Sequence, residues 1–115
     1  MRLWMWVGTL FLCISTSAQA QCVKVKYYAG SCLDLALLDC SDTKSSFVHQ
    51  VCYDKAKSFM VILLNKTRYP YCDIPEAIVS ALIKAQSVGT YYNKNVKGNF
   101  GCRVNPAPQY PTCGC

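Results

Sequence analysis

The chain has 115 residues, 52% of them hydrophobic, with nine cysteines, one histidine and a formal net charge of +6. That length allows a single modest domain and excludes a large multidomain enzyme. A lone His49 and the lack of any C-x-x-C pair exclude the zinc-ribbon and zinc-finger spacings, so no metal and no other cofactor is expected.

The first stretch, "MRLWMWVGTLFLCISTSAQAQC", has Arg2 near the amino terminus, an apolar run of 12 residues from Leu3 to Ile14, and small residues at Ala18 and Ala20. This is the layout of a signal peptide cleaved after Ala20. The run falls short of the ~20 residues a spanning helix needs. Cleavage removes Cys13 and leaves Cys22, Cys32, Cys40, Cys52, Cys72, Cys102, Cys113 and Cys115. An even cysteine count in a small exported chain reads as a disulfide framework, which places the protein in the periplasm or outside the cell. Eight cysteines allow 105 connectivities, so the pairing stays open. Loss of Arg2 leaves 11 basic against 6 acidic residues, a charge of +5, and no acidic residue follows Glu76. Such a surface attracts nucleic acid, anionic lipid or acidic glycan, or serves only solubility.

Residues 21–44 form an N-terminal arm in which "CVKVKYY" reads as a short strand with one wet face, followed by a turn at 29–31. "LDLALLDC" carries no clear pattern, and "SDTKSS" reads as a polar linker. "FVHQVCY" alternates, with Phe47, His49, Val51 and Tyr53 on one face and Val48, Gln50 and Cys52 on the other. "DKAK" is a turn, and "SFMVILL" has the continuous apolar character of a central strand. A tight connection at Asn65-Lys66 leads to "TRYPYC", whose Pro70 assigns it to a sheet edge or a bulge. A three-stranded antiparallel meander follows.

A helix comes next. Asp73 is placed to cap it, Pro75 suits the first turn, and Glu76 completes a capping box. Ile78, Ala81, Leu82 and Ala85 make one apolar stripe, and Gly89 reads as a left-handed stop. "TYYNKNVKGNF" reads as extended or turn-rich, and residues 101–115 as a Pro/Cys-rich tail held by its two terminal cysteines. The fold class is therefore α+β: a small meander packed on one helix, with a disulfide-tethered arm and tail.

Over residues 45–100 the chain resembles a KTSC domain, a short module found at the C-terminus of some lysyl-tRNA synthetases and alone in many bacterial proteins. The resemblance runs through Ser45 and Ser46, Tyr53-Asp54, Tyr69-Pro70-Tyr71 and Ile74-Pro75. It continues through Ala85, Ser87, Gly89, Tyr91, Tyr92 and Asn93, and ends at Val96 and Gly98. It implies a small α+β fold with no assigned activity, and RNA binding is suggested by the domain's occurrence.

Tyr69 and Tyr71 lie two apart in a strand and share a face. Either the rings pack against the helix, or they stand open beside Arg68, Lys66 and Lys94 to stack bases at ~1–3 kcal/mol each. Ser87 is placed to bond a carbonyl at the helix end, and Asn93 to brace the returning loop. A catalytic serine would need His49 as its base, and a lone histidine on a mainly apolar face reads as packed. No catalytic residues are assigned. A Cys113-Cys115 redox couple would close a strained ring, so pairing of each with a distant cysteine is the preferred reading.

The expected activity is that of an exported, non-catalytic module recognising a protein partner. The alternatives are RNA binding through Tyr-x-Tyr and thiol–disulfide exchange at Cys-Gly-Cys. The candidate binding residues are Lys66, Arg68, Tyr69, Tyr71, Tyr91, Tyr92, Asn93 and Lys94.

Overall fold

The computed structural model describes residue 8 and residues 21–28, 32–103, 105–111 and 113–115. The signal-peptide segment apart from Gly8, and the turn at 29–31, lie outside the described residues. The architecture is α+β, with antiparallel sheets and two helices. Its centre is the apolar run that the sequence marks most clearly. Strand β5 (Phe59–Leu64) has Phe59, Met60, Val61 and Ile62 each no more than 1% exposed. Alternation sends Met60 and Ile62 to one face and Phe59 and Val61 to the other, and each pair joins a different core cluster.

The sheet has four strands where three were expected. β3 (Asp39–Asp42), β4 (Val48–Asp54), β5 and β6 (Thr67–Tyr71) run antiparallel in that spatial order. β3 carries none of the β-branched or aromatic residues that mark a strand. Cross-strand chemistry defines it instead: Cys40 lies opposite Cys52 with Cα atoms 3.9 Å apart, and the two are bridged. A separate hairpin pairs β1 (Cys22–Lys24) with β2 (Cys32–Asp34), and a 3-10 turn over Leu35–Leu37 follows it. The Asp34 carboxylate anchors both ends of this arm, accepting from Gln21 N at 2.8 Å and from Ala36 N at 3.0 Å.

The simple alternation expected in β4 is interrupted. The register slips between Val48 and Gln50, which makes His49 the extra residue of a bulge. Val48 therefore joins Val51 in the helix-side core, while His49 is exposed rather than packed.

Helix α1 (Glu76–Lys84) buries Val79 and Leu82 against the sheet, with Ile78 and Ile83 partly covered. Its N-terminus departs from the expected capping box. Pro75 occupies the cap position and offers no side-chain acceptor, while Asp73 has φ +53° and accepts from Asn105 Nδ2 at 2.7 Å. Glu76 pairs on the surface with Lys55 at 3.3 Å. The expected stop at Gly89 is also corrected. α1 ends when Ala85 turns extended, and Gly89 sits inside a second helix, α2 (Val88–Tyr91). Ser87 caps α2 rather than closing α1, its Oγ accepting from Thr90 N at 3.3 Å. The segment expected to be extended continues as a π-helical turn over Tyr92–Val96 that buries Tyr92 and Val96.

Four bridges tie the arm and tail down: Cys22–Cys113, Cys32–Cys115, Cys40–Cys52 and Cys72–Cys102. Cys113 and Cys115 each reach a distant partner, 91 and 83 residues away in sequence. They do not pair with each other. Between the described residues 101 and 115 there is no helix or strand.

Gly89 is needed for close approach rather than for a left-handed turn. A Cβ there would lie 2.6 Å from Phe47 Cε1, 3.0 Å from Cζ and 3.3 Å from Ser45 Oγ. Alanine for glycine in a helix normally gains ~1 kcal/mol. Here overpacking outweighs that gain, and Gly89→Ala is expected to lose about 1–3 kcal/mol in denaturant unfolding. Combining it with Phe47→Leu should recover most of the loss. A stabilised Gly89→Ala would contradict this packing.

Candidate functional site

The site is built on β6. Its outer edge is occupied at both ends: Lys26 N–H donates to the Arg68 carbonyl at 2.9 Å, and Cys72 N–H to the Phe100 carbonyl at 2.8 Å. Between them Pro70, opposite Val61, has no N–H to offer. This edge strand is thereby closed to a further strand along most of its length.

Tyr69 and Tyr71 project together from β6, both half-buried, toward the π-helical turn. The Tyr71 and Tyr92 hydroxyls lie 2.6 Å apart, and their rings meet edge-on at 6.3 Å between centroids. Phe47 completes the aromatic cluster with its ring 6.0 Å from that of Tyr92. Two hydroxyls hold two hydrogens and their mutual bond uses one, so a second O–H is available to an acceptor. Burial, reinforced by the bond to Tyr92, pushes the Tyr71 hydroxyl far above the ordinary tyrosine range. Tyr71 is therefore neutral at physiological pH.

Above this cluster is an open cleft of about 500 Å³, with Phe47, Leu64, Tyr69, Tyr71 and Tyr92 along its apolar side and Asn93 and Lys97 at its rim. The fold thus brings Tyr69, Tyr71, Tyr92 and Asn93 together. It separates the other candidates. Tyr91 is half-buried against the core, and its carbonyl accepts from Asn95 Nδ2 at 3.2 Å. Lys94 is exposed and does not line the cleft. Lys66 and Arg68 line a different cleft with the N-terminal arm, because Arg68 is out of phase with the tyrosines on the pleat. Asn93 is exposed and also borders a polar groove with Ser45, Ser87 and Thr90, rather than bracing the loop.

Phe47 is a cleft residue that the sequence does not single out, whereas Lys97 closes the 90–97 segment expected to join the tyrosines. By alternation Phe47 reads as a packing residue just before β4, and the second helical segment carries Lys97 to the rim. Several motif residues have structural duties. Ser45 Oγ accepts from Val48 N at 3.2 Å, and Tyr53 donates to the Ile74 carbonyl at 2.8 Å. Asp54 accepts from Tyr110 Oη at 2.7 Å. Among the described residues no three His, Cys, Asp or Glu side chains gather as metal ligands, and no helix is long and apolar enough to cross a membrane.

The sequence model of the KTSC domain matches residues 44–100. Residues 44–100 form a KTSC domain. The match takes in β4, β5, β6 and both helices and leaves β1, β2, β3 and the tail outside. The crystal structure of a KTSC domain protein from Yersinia pestis superimposes with a TM-score of 0.52 at 23% identity, covering 55% of this chain and 90% of that one. It shares the fold. No curated protein matches the chain.

Two KTSC-chain tyrosines hold their protons unusually tightly, Tyr71 as described and Tyr110 through burial followed by its bond to Asp54. A tyrosine pKa raised by folding contributes stability that is complete below the ordinary value of about 10 and is lost as pH climbs beyond it. Rapid absorbance titration should therefore find Tyr71 and Tyr110 still protonated in the native protein at about pH 11. Tyr71→Phe should leave one such tyrosine and a shallower loss of stability above pH 10. Ionisation of every tyrosine before unfolding would contradict the assignment.

Proposed function

We propose that this KTSC protein is an exported, non-catalytic binding module that recognises a protein partner through the Tyr69–Tyr71–Tyr92 cleft. The observation that carries the reading is the cleft itself. It combines three tyrosine rings, a spare hydroxyl hydrogen, and the exposed Asn93 and Lys97. Aromatic surface with a polar tip and a basic rim suits an interface anchor. The N-terminal signal pattern and the four bridges favour an oxidising compartment. Cleavage after Ala20 would make the Gln21 nitrogen an ammonium beside Asp34, strengthening the 2.8 Å bond between them.

Nucleic-acid binding through the same tyrosines is less well supported. Base stacking calls for cations beside the rings, and none of the expected Lys66, Arg68 and Lys94 lines this cleft, which leaves Lys97 at its rim and Lys26 5.6 Å from the Tyr69 ring. Thiol exchange at Cys-Gly-Cys is weaker still, since the two cysteines belong to separate bridges.

The test is selection of peptides from a displayed library on the oxidised protein, followed by affinity measurements. Tyr69→Ala and Asn93→Ala are each expected to weaken a selected peptide about tenfold, or ~1.4 kcal/mol, while Lys84→Gln on α1 leaves it unchanged. Peptides indifferent to both cleft substitutions would sink the proposal. RNA binding with a steep salt slope, abolished by Tyr69→Ala, would replace it with the nucleic-acid reading.

A further inference from the structure

The second cleft lies where the N-terminal arm crosses the opposite side of β6. Its volume is about 470 Å³, and it is lined by Lys24, Lys26, Lys66 and Arg68 together with Tyr27 and Tyr28. Two lysines come from the arm and one from the β5–β6 turn, while Arg68 stands on the strand. The arm is fixed there by its main chain, since Lys26 N–H donates to the Arg68 carbonyl at 2.9 Å. Among the described residues no carboxylate lines the cleft, and the residues that follow Tyr28 in the sequence are Ala, Gly and Ser.

Four like charges around one small cavity repel one another, and such a cavity with partly apolar walls concentrates anions. Arg68 adds a specific demand. Its Nε is shut off from solvent and has no hydrogen-bond partner, and burial lowers the guanidinium's proton affinity from its ordinary value. An anion against the part of the guanidinium that faces the cleft would offset the cost of that burial. Lys26 Nζ stands 5.2 Å from the Tyr27 ring centre and 5.6 Å from that of Tyr69, so both rings favour this ammonium. Tyr27 is itself 80% exposed, with a ring face open to a neighbouring group.

We infer that this cleft is an anion site for a compact, multiply charged phosphoryl group, held by Arg68 with Lys24, Lys26 and Lys66. The planar guanidinium matches a tetrahedral oxyanion through its terminal paired N–H donors. The lysines act as point charges around it. The cavity has the volume of a small-molecule site and is too confined for a duplex. Its arm half lies outside the KTSC match, so the site belongs to this chain's additions rather than to the domain alone.

Calorimetric titration of the oxidised protein tests the assignment, with inorganic pyrophosphate, a hexose phosphate and citrate as separate probes in about 50 mM salt. Saturable one-to-one binding of pyrophosphate or the hexose phosphate is expected, weakened about tenfold at 500 mM salt. Tighter binding of the hexose phosphate would identify an ester with its sugar against Tyr27, and tighter pyrophosphate a free phosphoryl anion. Arg68→Lys should cost about tenfold by removing the paired donors. Lys24→Gln/Lys66→Gln, both at exposed positions, should cost at least as much, and Lys84→Gln nothing. No saturable binding, equal loss with Lys84→Gln, or citrate binding as tightly as pyrophosphate would each overturn the proposal.

Discussion

The double-sided burial of β5 is the constraint on which the rest of the structure depends. Phe59 and Val61 face away from Met60 and Ile62, and all four are shut off from water. A strand of this kind needs an apolar layer on each side. On one side α1 and the π-helical turn supply Val79, Leu82, Tyr92 and Val96 from the 30 or so residues that follow the sheet. On the other, the cover comes from both chain ends: Val25, Leu33, Leu35 and Leu38 from the arm, with Ala107 and Tyr110 from the tail. These segments have little structure of their own. Strands of three residues and a proline-rich tail cannot meet the entropy of ordering by local contacts.

The bridges answer that problem. In the chain-entropy picture, the link closing a loop of 91 residues contributes roughly 4–5 kcal/mol, and the second, which closes only a short further loop once the first is made, roughly 3 kcal/mol. A domain's whole stability is about 5–15 kcal/mol, so the links decide whether the second layer forms. Cys72–Cys102 fastens the end of β6 to the start of the tail, and Cys40–Cys52 fastens the edge strand that sequence propensity alone would not make. The hydrogen bond from Tyr110 to Asp54 and the tilted contact of its ring with Phe59 then seat the tail on the sheet. The same layering divides the chemistry. The alternation of β6 gives Tyr69 and Tyr71 to the helix side, while Arg68 goes to the side where the arm brings its lysines. One strand therefore serves two unlike clefts.

What was legible from the residues follows from which physical signal each element carries. β4, β5, β6 and α1 announce themselves by apolar periodicity, and Pro70 by its missing donor. β3 has no such signal, because its place depends on a partner cysteine 12 residues on, and cysteine spacing does not reveal pairing. Gly89 was legible as a glycine with a purpose, yet close packing on Phe47 and a left-handed stop look alike in one dimension. The bulge at His49 puts Val48 on the core face expected for the histidine and moves the histidine to solvent. For the site, the tyrosine pair was visible as a two-residue repeat. Its separation from Lys66 and Arg68 required the pleat, and the meeting of those cations with Lys24 and Lys26 required a crossing that no local pattern encodes.

The most direct test of this account removes the two long-range links together, with Cys22, Cys32, Cys113 and Cys115 all replaced by serine, and follows hydrogen exchange residue by residue. The account predicts that amides of residues 22–38 lose protection and that Phe59 and Val61 open to solvent, with binding of a hydrophobic dye. Amides of α1 should stay the slower to exchange. Protection of the arm equal to that of the bridged protein would contradict it, and would mean that the second layer holds by packing alone.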